Sequence, residues 1–504
     1  MYGRICWLLA ATVLAGCAGS SGVQVEDSFR VEDSVEVEDS VQVDEPVASV
    51  PSSTPPPTGA PAEPVEPAEP AEVGAEGVGD SLYPDLGNGG YDVEHYDLVL
   101  DVDVETNEID ATVTIDAVAT QTLARLNLDL EGLEVTDVRV DGEAATVERV
   151  DHELVITPPV SIDAGAAFTV IVDYFGSPQP IVDPAIPFDT IGWQQRDDTI
   201  YVASEPSGAM SWFPNNNHPA DKATFEFSVT TDSELTVVAN GQLDDVADAG
   251  GGRATTTWRM DDPMTSYLAA VYIGDFELRE STTDDGLRIR NYFPPVFADE
   301  LDDDFELTAD VVAFYEELFG ADYPFAEYGS IVMPFDLGFA LENQTISIHG
   351  LDATDPYTIA HEILHQWSGN SVTVAAWQDI WMLEGFATYL AYMYFEDRGL
   401  PSDIEPQGMY DALRDGTSGP AEVPIEELFG LSVYFRGGMT LHALRVEVGD
   451  DVFGEILTEY YARFAGGDVT TAEFVDLVDD IAGADAVAVL DDWLYGDELP
   501  PFPT

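Results

Sequence analysis

Lysine is nearly absent from this chain. Lys222 stands alone, and with the arginines the basic residues total 17 against 97 aspartates and glutamates, a net charge of -80 over 504 residues. Such a surface repels phosphate backbones and anionic headgroups alike, which excludes nucleic-acid binding and charge-driven docking on membranes. Cysteine is equally scarce. Cys6 and Cys17 both fall in the first twenty residues, so no disulfide can staple the remaining body. The acid excess is not a tail, since residues 21–80 hold 15 acidic residues and one arginine. It lies mostly on the folded part, as a solvated surface suited to salt, where a Debye length of about 3 Å at 1 M screens the self-repulsion.

The ends of the chain read differently from its middle. Arg4 precedes an apolar run over residues 5–15, too short to span a bilayer and typical of a secretory signal. Its close, Leu14-Ala15-Gly16-Cys17, resembles the lipobox of prokaryotic lipoproteins, which implies cleavage before Cys17 and a lipid anchor on it, with residues 1–16 as the signal. Residues 17–80 repeat Val-Glu-Asp-Ser at 25, 31 and 37 and then alternate Pro with Glu, a composition that cannot bury enough to fold; we expect a disordered, extended spacer. From residue 81 to about 277, short alternating runs such as 95–102 and 168–172 predict a β-rich domain. From residue 278 to 504 helical spacing takes over, in 298–319, 383–395, 438–448, 452–464 and 471–481, with Thr470 and Glu473 as a capping box. The fold class expected is α+β and multidomain, in a chain long enough to bury more than one core.

Chemistry concentrates in His361-Glu362-Ile363-Leu364-His365, followed after eighteen intervening residues by Glu384. Residues four apart share a helix face, so His361 and His365 can offer two imidazoles to one zinc ion, with Glu362 beside it. Glu384, at the head of a second apolar stretch, supplies a third ligand and leaves a position open, the mark of a catalytic zinc. An exposed helix with idle histidines fits poorly with flanking Ile359, Ile363, Leu364 and Trp367, which demand burial.

Further segments carry a resemblance. They are residues 337–344 (Leu-Gly-Phe-Ala-Leu-Glu-Asn-Gln), 433–438 (Val-Tyr-Phe-Arg-Gly-Gly), Ser204-Glu205-Pro206, and Asp221-Lys222-Ala223-Thr224-Phe225. Together with the metal motif they resemble the aminopeptidase N family of zinc peptidases over residues 90–504. The resemblance implies a saddle-like β-domain ahead of a thermolysin-like catalytic domain, one zinc per chain on His361, His365 and Glu384, and Glu362 as general base. It implies that Tyr434 donates to the oxyanion, that Glu342 and Glu205 hold the substrate's α-amine, and that Phe339, Ala340 and Asn343 run beside the peptide. It implies peptide substrates cut from the N-terminus. The chain stops soon after Trp493, so a C-terminal helical domain found in many relatives is expected to be missing and the cleft open, which keeps endopeptidase action as the alternative, and a peptide-binding protein without turnover as another. Asp302-Asp303-Asp304 reads as a solvated helix face, and Lys222 as a packing residue.

Overall fold

A computed structural model describes residues 72–504 apart from Phe188, Asp403, Asp415, Gly416 and Asp497. The signal, Cys17 and most of the spacer lie outside the described residues.

The N-terminal domain is built on an eight-stranded sheet in the order Gln242–Gly250, Arg253–Thr265, Lys222–Asp232, Tyr91–Asp103, Glu108–Ala119, Ala167–Gly176, Glu134–Val140, Glu143–Ala144. Alternation drives it: in Tyr91–Asp103 the buried positions are Tyr91 and Val93, then Tyr96, Leu98, Leu100 and Val102. The switch from odd to even falls where the pairing with Glu108–Ala119 slips between Val93 and His95, a bulge that moves the buried set by one residue. Two four-stranded sheets complete the domain. One runs Glu72–Val73, Leu123–Asp129, Glu153–Thr157, Thr146–Val150; the other runs Gly192–Arg196, Thr199–Ala203, Val271–Gly274, Thr236–Ala239.

The spacer ends earlier than its composition suggests. Glu72 donates its backbone N–H to the Thr122 carbonyl (2.8 Å) and Gly74 to that of Arg125 (2.9 Å), so the folded body begins by residue 72, not 81. Backbone pairing needs no apolar side chain, and a composition argument is blind to it. Asp80 is then buried, accepting from the Trp377 backbone N–H (2.7 Å) far along the chain.

The second domain opens with a sheet that helical periodicity did not anticipate: Glu277–Thr282, Arg288–Phe293, Glu327–Val332, Ser347–His349 and, at its edge, Ala340–Leu341. Every residue of Glu327–Val332 is buried, so this central strand shows no alternation to read. The helices are α1 Ala298–Asp304, α2 Thr308–Phe319, α3 Pro356–Leu364, α4 Trp381–Arg398, α5 Pro406–Ala412, α6 Gly437–Val448, α7 Asp450–Phe464, α8 Thr471–Ala482 and α9 Ala484–Leu494. The single helix expected over 298–319 is broken by a 3₁₀ turn at Phe305–Leu307, where Phe305 turns inward against Phe293 (5.3 Å) and His349 (5.2 Å). Thr470 and Glu473 form the expected capping box of α8, and α9 was not anticipated. Among the described residues, no helix is long and apolar enough to cross a membrane.

The two domains share one continuous apolar core where separate cores were expected. Tyr267 of the first packs on Trp377 of the second, ring centroids 5.1 Å apart. Lys222 reaches across as well, donating to the carbonyls of Asn370 (3.2 Å), Ser371 (2.9 Å) and Gly467 (2.8 Å). Burial pushes its ammonium down to about 7, with the Asp468 carboxylate pulling the other way.

Candidate active site

The metal motif lies on α3. Asp355 caps it, its carboxylate accepting from the Tyr357 and Thr358 N–H groups (3.1 and 3.2 Å), and Pro356 takes the first turn, where a missing N–H costs nothing. Ile359, Ala360, Ile363 and Leu364 bury one side of the helix in the core. That burial aims His361, Glu362 and His365 into the interior, with Glu362 at 5% and His365 at 1% exposure. His365 closes the helix and its Nδ1 pairs with the Ser368 carbonyl (3.2 Å), which leaves Nε2 as the free donor atom.

Glu384 comes from the first turn of α4. Its Oε2 lies 3.1 Å from His361 Nε2 and 3.6 Å from His365 Nε2, and donor atoms of the three residues all sit within 4.8 Å of one another. A Cβ on Gly385 would come within 2.8 Å of the Gly437 backbone, so two glycines are what allow α4 and α6 to touch. That contact presents the turn ahead of α6, a π-helical turn over Ser432–Arg436, to the same pocket. Tyr434 rises from it, its ring stacked on His361 (6.1 Å, 11°), on the side of the pocket where Glu384 acts on its hydroxyl. Burial, then the carboxylates of Glu384, Glu205 and Glu342, push this phenol well above its ordinary range, so it remains a donor.

Two more carboxylates converge from elsewhere. Glu205 follows the strand Thr199–Ala203 of the first domain, Glu342 follows the edge strand Ala340–Leu341 of the second, and both are buried. Oxygens of Glu205, Glu342 and Glu384 lie within 4.8 Å of one another, so Glu384 belongs to the histidine group and to the carboxylate group at once. Burial raises Glu205 well above the usual carboxylate range, helped by Glu342, Glu384 and Glu362, and burial raises Glu342 and Glu362 too. Burial would also lift Glu384, but His365 and His361 outweigh it and hold it at about 2. The pocket is short of positive charge, and two oxygens, Glu205 Oε1 and Glu342 Oε1, are buried without any hydrogen-bond partner.

Sequence reasoning missed the supports. Gln366 Nε2 (3.1 Å) and Asn370 Nδ2 (2.8 Å) both donate to the Glu342 carbonyl, and Gln366 Oε1 accepts from the Thr345 N–H (2.9 Å). Their signal was present: two amides just after His365, in a segment otherwise reading as core. Asn343 is fully buried and donates to the Tyr272 hydroxyl (3.1 Å), so it braces the domain interface where a substrate contact was expected. Phe339 and Ala340 are partly exposed, next to Glu342.

A model of the peptidase family M1 domain matches residues 304–493, and one of the peptidase M1 N-terminal domain matches residues 92–268. An M1 zinc metallopeptidase from Deinococcus radiodurans superposes with a TM-score of 0.79 at 30% identity, over 85% of this chain and 99% of that one. This chain belongs to the peptidase M1 family. A variant of the Deinococcus enzyme solved with a Tyr-Ser-Ala substrate gives 0.79 at 31% identity, over 85% of this chain and 100% of that one. Among curated proteins, aminopeptidase 2 of Candida albicans is 24% identical over 79% of this chain and 46% of its own length, and human endoplasmic reticulum aminopeptidase 1 is 22% identical over 79% and 46%. The chain thus spans about half the length of these relatives. The cofactor of this M1 peptidase is zinc, and two imidazoles with a carboxylate, converging around one point, are a donor set that fits it.

Proposed function

We propose that the protein is an aminopeptidase that removes N-terminal residues from peptides, with zinc on His361, His365 and Glu384. The observation that carries this is the sharing of Glu384 between the two groups. A free α-amine and the carbonyl carbon of its own residue are two bonds apart, about 2.5 Å. With Glu205 and Glu342 beside Glu384, a carbonyl at the metal places only the first residue's amine between those carboxylates. Their unpartnered oxygens accept from an α-ammonium, and an acylated nitrogen brings neither the charge nor the protons.

When bound, zinc polarises the scissile carbonyl and makes water more acidic. Glu362, buried and with its carboxyl raised, takes a proton from the attacking water as the new C–O bond forms, then delivers it to the departing amine as the C–N bond breaks. The Tyr434 hydroxyl donates to the oxygen that gains charge. The strand Ala340–Leu341 lies at its sheet's edge, so backbone groups near Phe339 and Ala340 can pair with an extended peptide.

Hydrolysis of aminoacyl amides with free and N-acetylated termini tests the reading. A preference of at least a hundredfold for the free amine is expected; equal rates would make the enzyme an endopeptidase, and no turnover of either would make it a binder. The leader and Leu14-Ala15-Gly16-Cys17 support export and a lipid anchor on Cys17 at the cell surface. Cys17→Ala should shift the protein from the membrane to the soluble fraction, and unchanged membrane association would overturn the anchor.

A further inference from the structure

A second group of buried acids stands in the first domain, on the two inner strands of a sheet the reaction does not use. Asp129 and Glu153 are paired residues of the antiparallel strands Leu123–Asp129 and Glu153–Thr157, so two carboxylates face each other across the ladder. Like charges opposite one another are destabilising unless something positive lies between them. Neither has such a partner. Asp129 is 0% exposed and Glu153 6%, and the oxygens Asp129 Oδ1, Glu153 Oε1 and Glu153 Oε2 make no hydrogen bond. The nearest imidazole, His152, is partly exposed with Nε2 3.9 Å from Asp129 Oδ1, and that nitrogen is already paired with the Asp85 carbonyl (2.8 Å). One strand position back on the same face, Asn127 is 1% exposed, with both side-chain amide atoms unpaired.

We propose that Asp129 and Glu153, whose carboxylate oxygens lie within 4.8 Å of each other, form a second cation site that takes calcium, with Asn127 facing it from the next position. Oxygen donors predominate, which suits a hard cation tolerant of irregular geometry. The other oxygen of Asp129 is used differently: Oδ2 accepts from Asn88 Nδ2 (3.0 Å) and from the Asn217 N–H (2.9 Å). Asn217 in turn donates to the Ser207 carbonyl (2.7 Å), two residues from Glu205. The cation therefore fixes the strand pair from which one wall of the substrate site is hung. Without it, burial leaves Glu153 raised to about 8 and Asp129 to about 6, a shortage of positive charge like that of the active site.

The test uses the full-length zinc enzyme, freed of calcium on a chelating resin and held in 1 M NaCl to screen diffuse binding to the acidic surface. Calorimetric titration with calcium chloride, followed by elemental analysis, should give one calcium per chain beside one zinc, and a melting temperature raised by about 5 °C at a hundredfold excess over Kd. Glu153→Gln should lose the calcium and the thermal shift while keeping its zinc, and Asp302→Asn, on the solvated helix α1, should change neither. Asn127→Ala, which removes the unpaired amide facing the two carboxylates, should weaken calcium about tenfold and serves if Glu153→Gln fails to fold. No saturable calcium in the wild type, or undiminished binding in Glu153→Gln and Asn127→Ala, would overturn the site and leave the two carboxyls sharing a proton. A second zinc in place of calcium would overturn the assignment of the cation.

Discussion

The acids of this protein fall into two populations that differ only in where the fold puts them. Asp302, Asp303 and Asp304 on α1, or the acids of the wholly exposed strand Gln242–Gly250, sit in solvent, where each is one of many diffuse charges. Glu205, Glu342, Glu362 and Glu384 are the same functional group at 5% exposure or less, crowded around two histidines. In water such charges interact weakly, and at low effective dielectric they dominate one another. The comparison teaches that acidity alone says nothing about function here; an acid becomes chemical when burial removes every partner except the ones the reaction supplies.

Perturbing the two populations should separate them by orders of magnitude. His365→Ala should be the most severe change, abolishing bound zinc by elemental analysis and reducing kcat/KM by more than about 10⁴-fold, because a donor of the metal set is gone. Glu362→Gln should keep the zinc and lower kcat about 10³-fold in the aminoacyl-amide assay, within the usual range for a general base. Tyr434→Phe should cost about 10²-fold in kcat with KM nearly unchanged, since a donor to developing charge acts mainly in the transition state. Glu205→Gln should act on KM for free-amine substrates, raising it about tenfold and narrowing the gap between free and acetylated termini. At the other end, Asp302→Asn with Asp303→Asn should move unfolding free energy by no more than about 0.5 kcal/mol and leave kcat/KM alone. If the surface pair proved as costly as Glu205→Gln, the distinction would collapse.

Part of this arrangement is legible in the amino-acid sequence. Two histidines four apart and a glutamate nineteen residues on do specify a shared helix face and a neighbour, and α3 and the first turn of α4 deliver them. The exposed helix face at 302–304 and the capping box of α8 are local patterns, and local patterns survive folding. The central strand Glu327–Val332 is not legible, because a strand buried on both faces has no alternation. Nor is the pairing of Glu72 with Thr122, which uses backbone alone. Gln366 and Asn370 can be seen as polar residues in a buried run, but not that both grip the carbonyl of Glu342.

By itself, then, the sequence determined the helix that bears the metal motif, the spacing of its donors, and the sign of the surface, since each depends on residues near one another in the chain. Tertiary structure decided which acids are chemical. Glu205 and Glu342 are 137 positions apart in number, and only the closure of one domain on the other, through Lys222, Tyr267 and Trp377, brings their oxygens within 4.8 Å of Glu384. The same is true of Asp129 and Glu153, which strand pairing sets face to face. Motif resemblance pointed to Glu205 and Glu342 but not to their convergence, and nothing local pointed to Asp129 and Glu153, because the energy of a buried carboxylate depends on what has been excluded around it, and that is settled by packing.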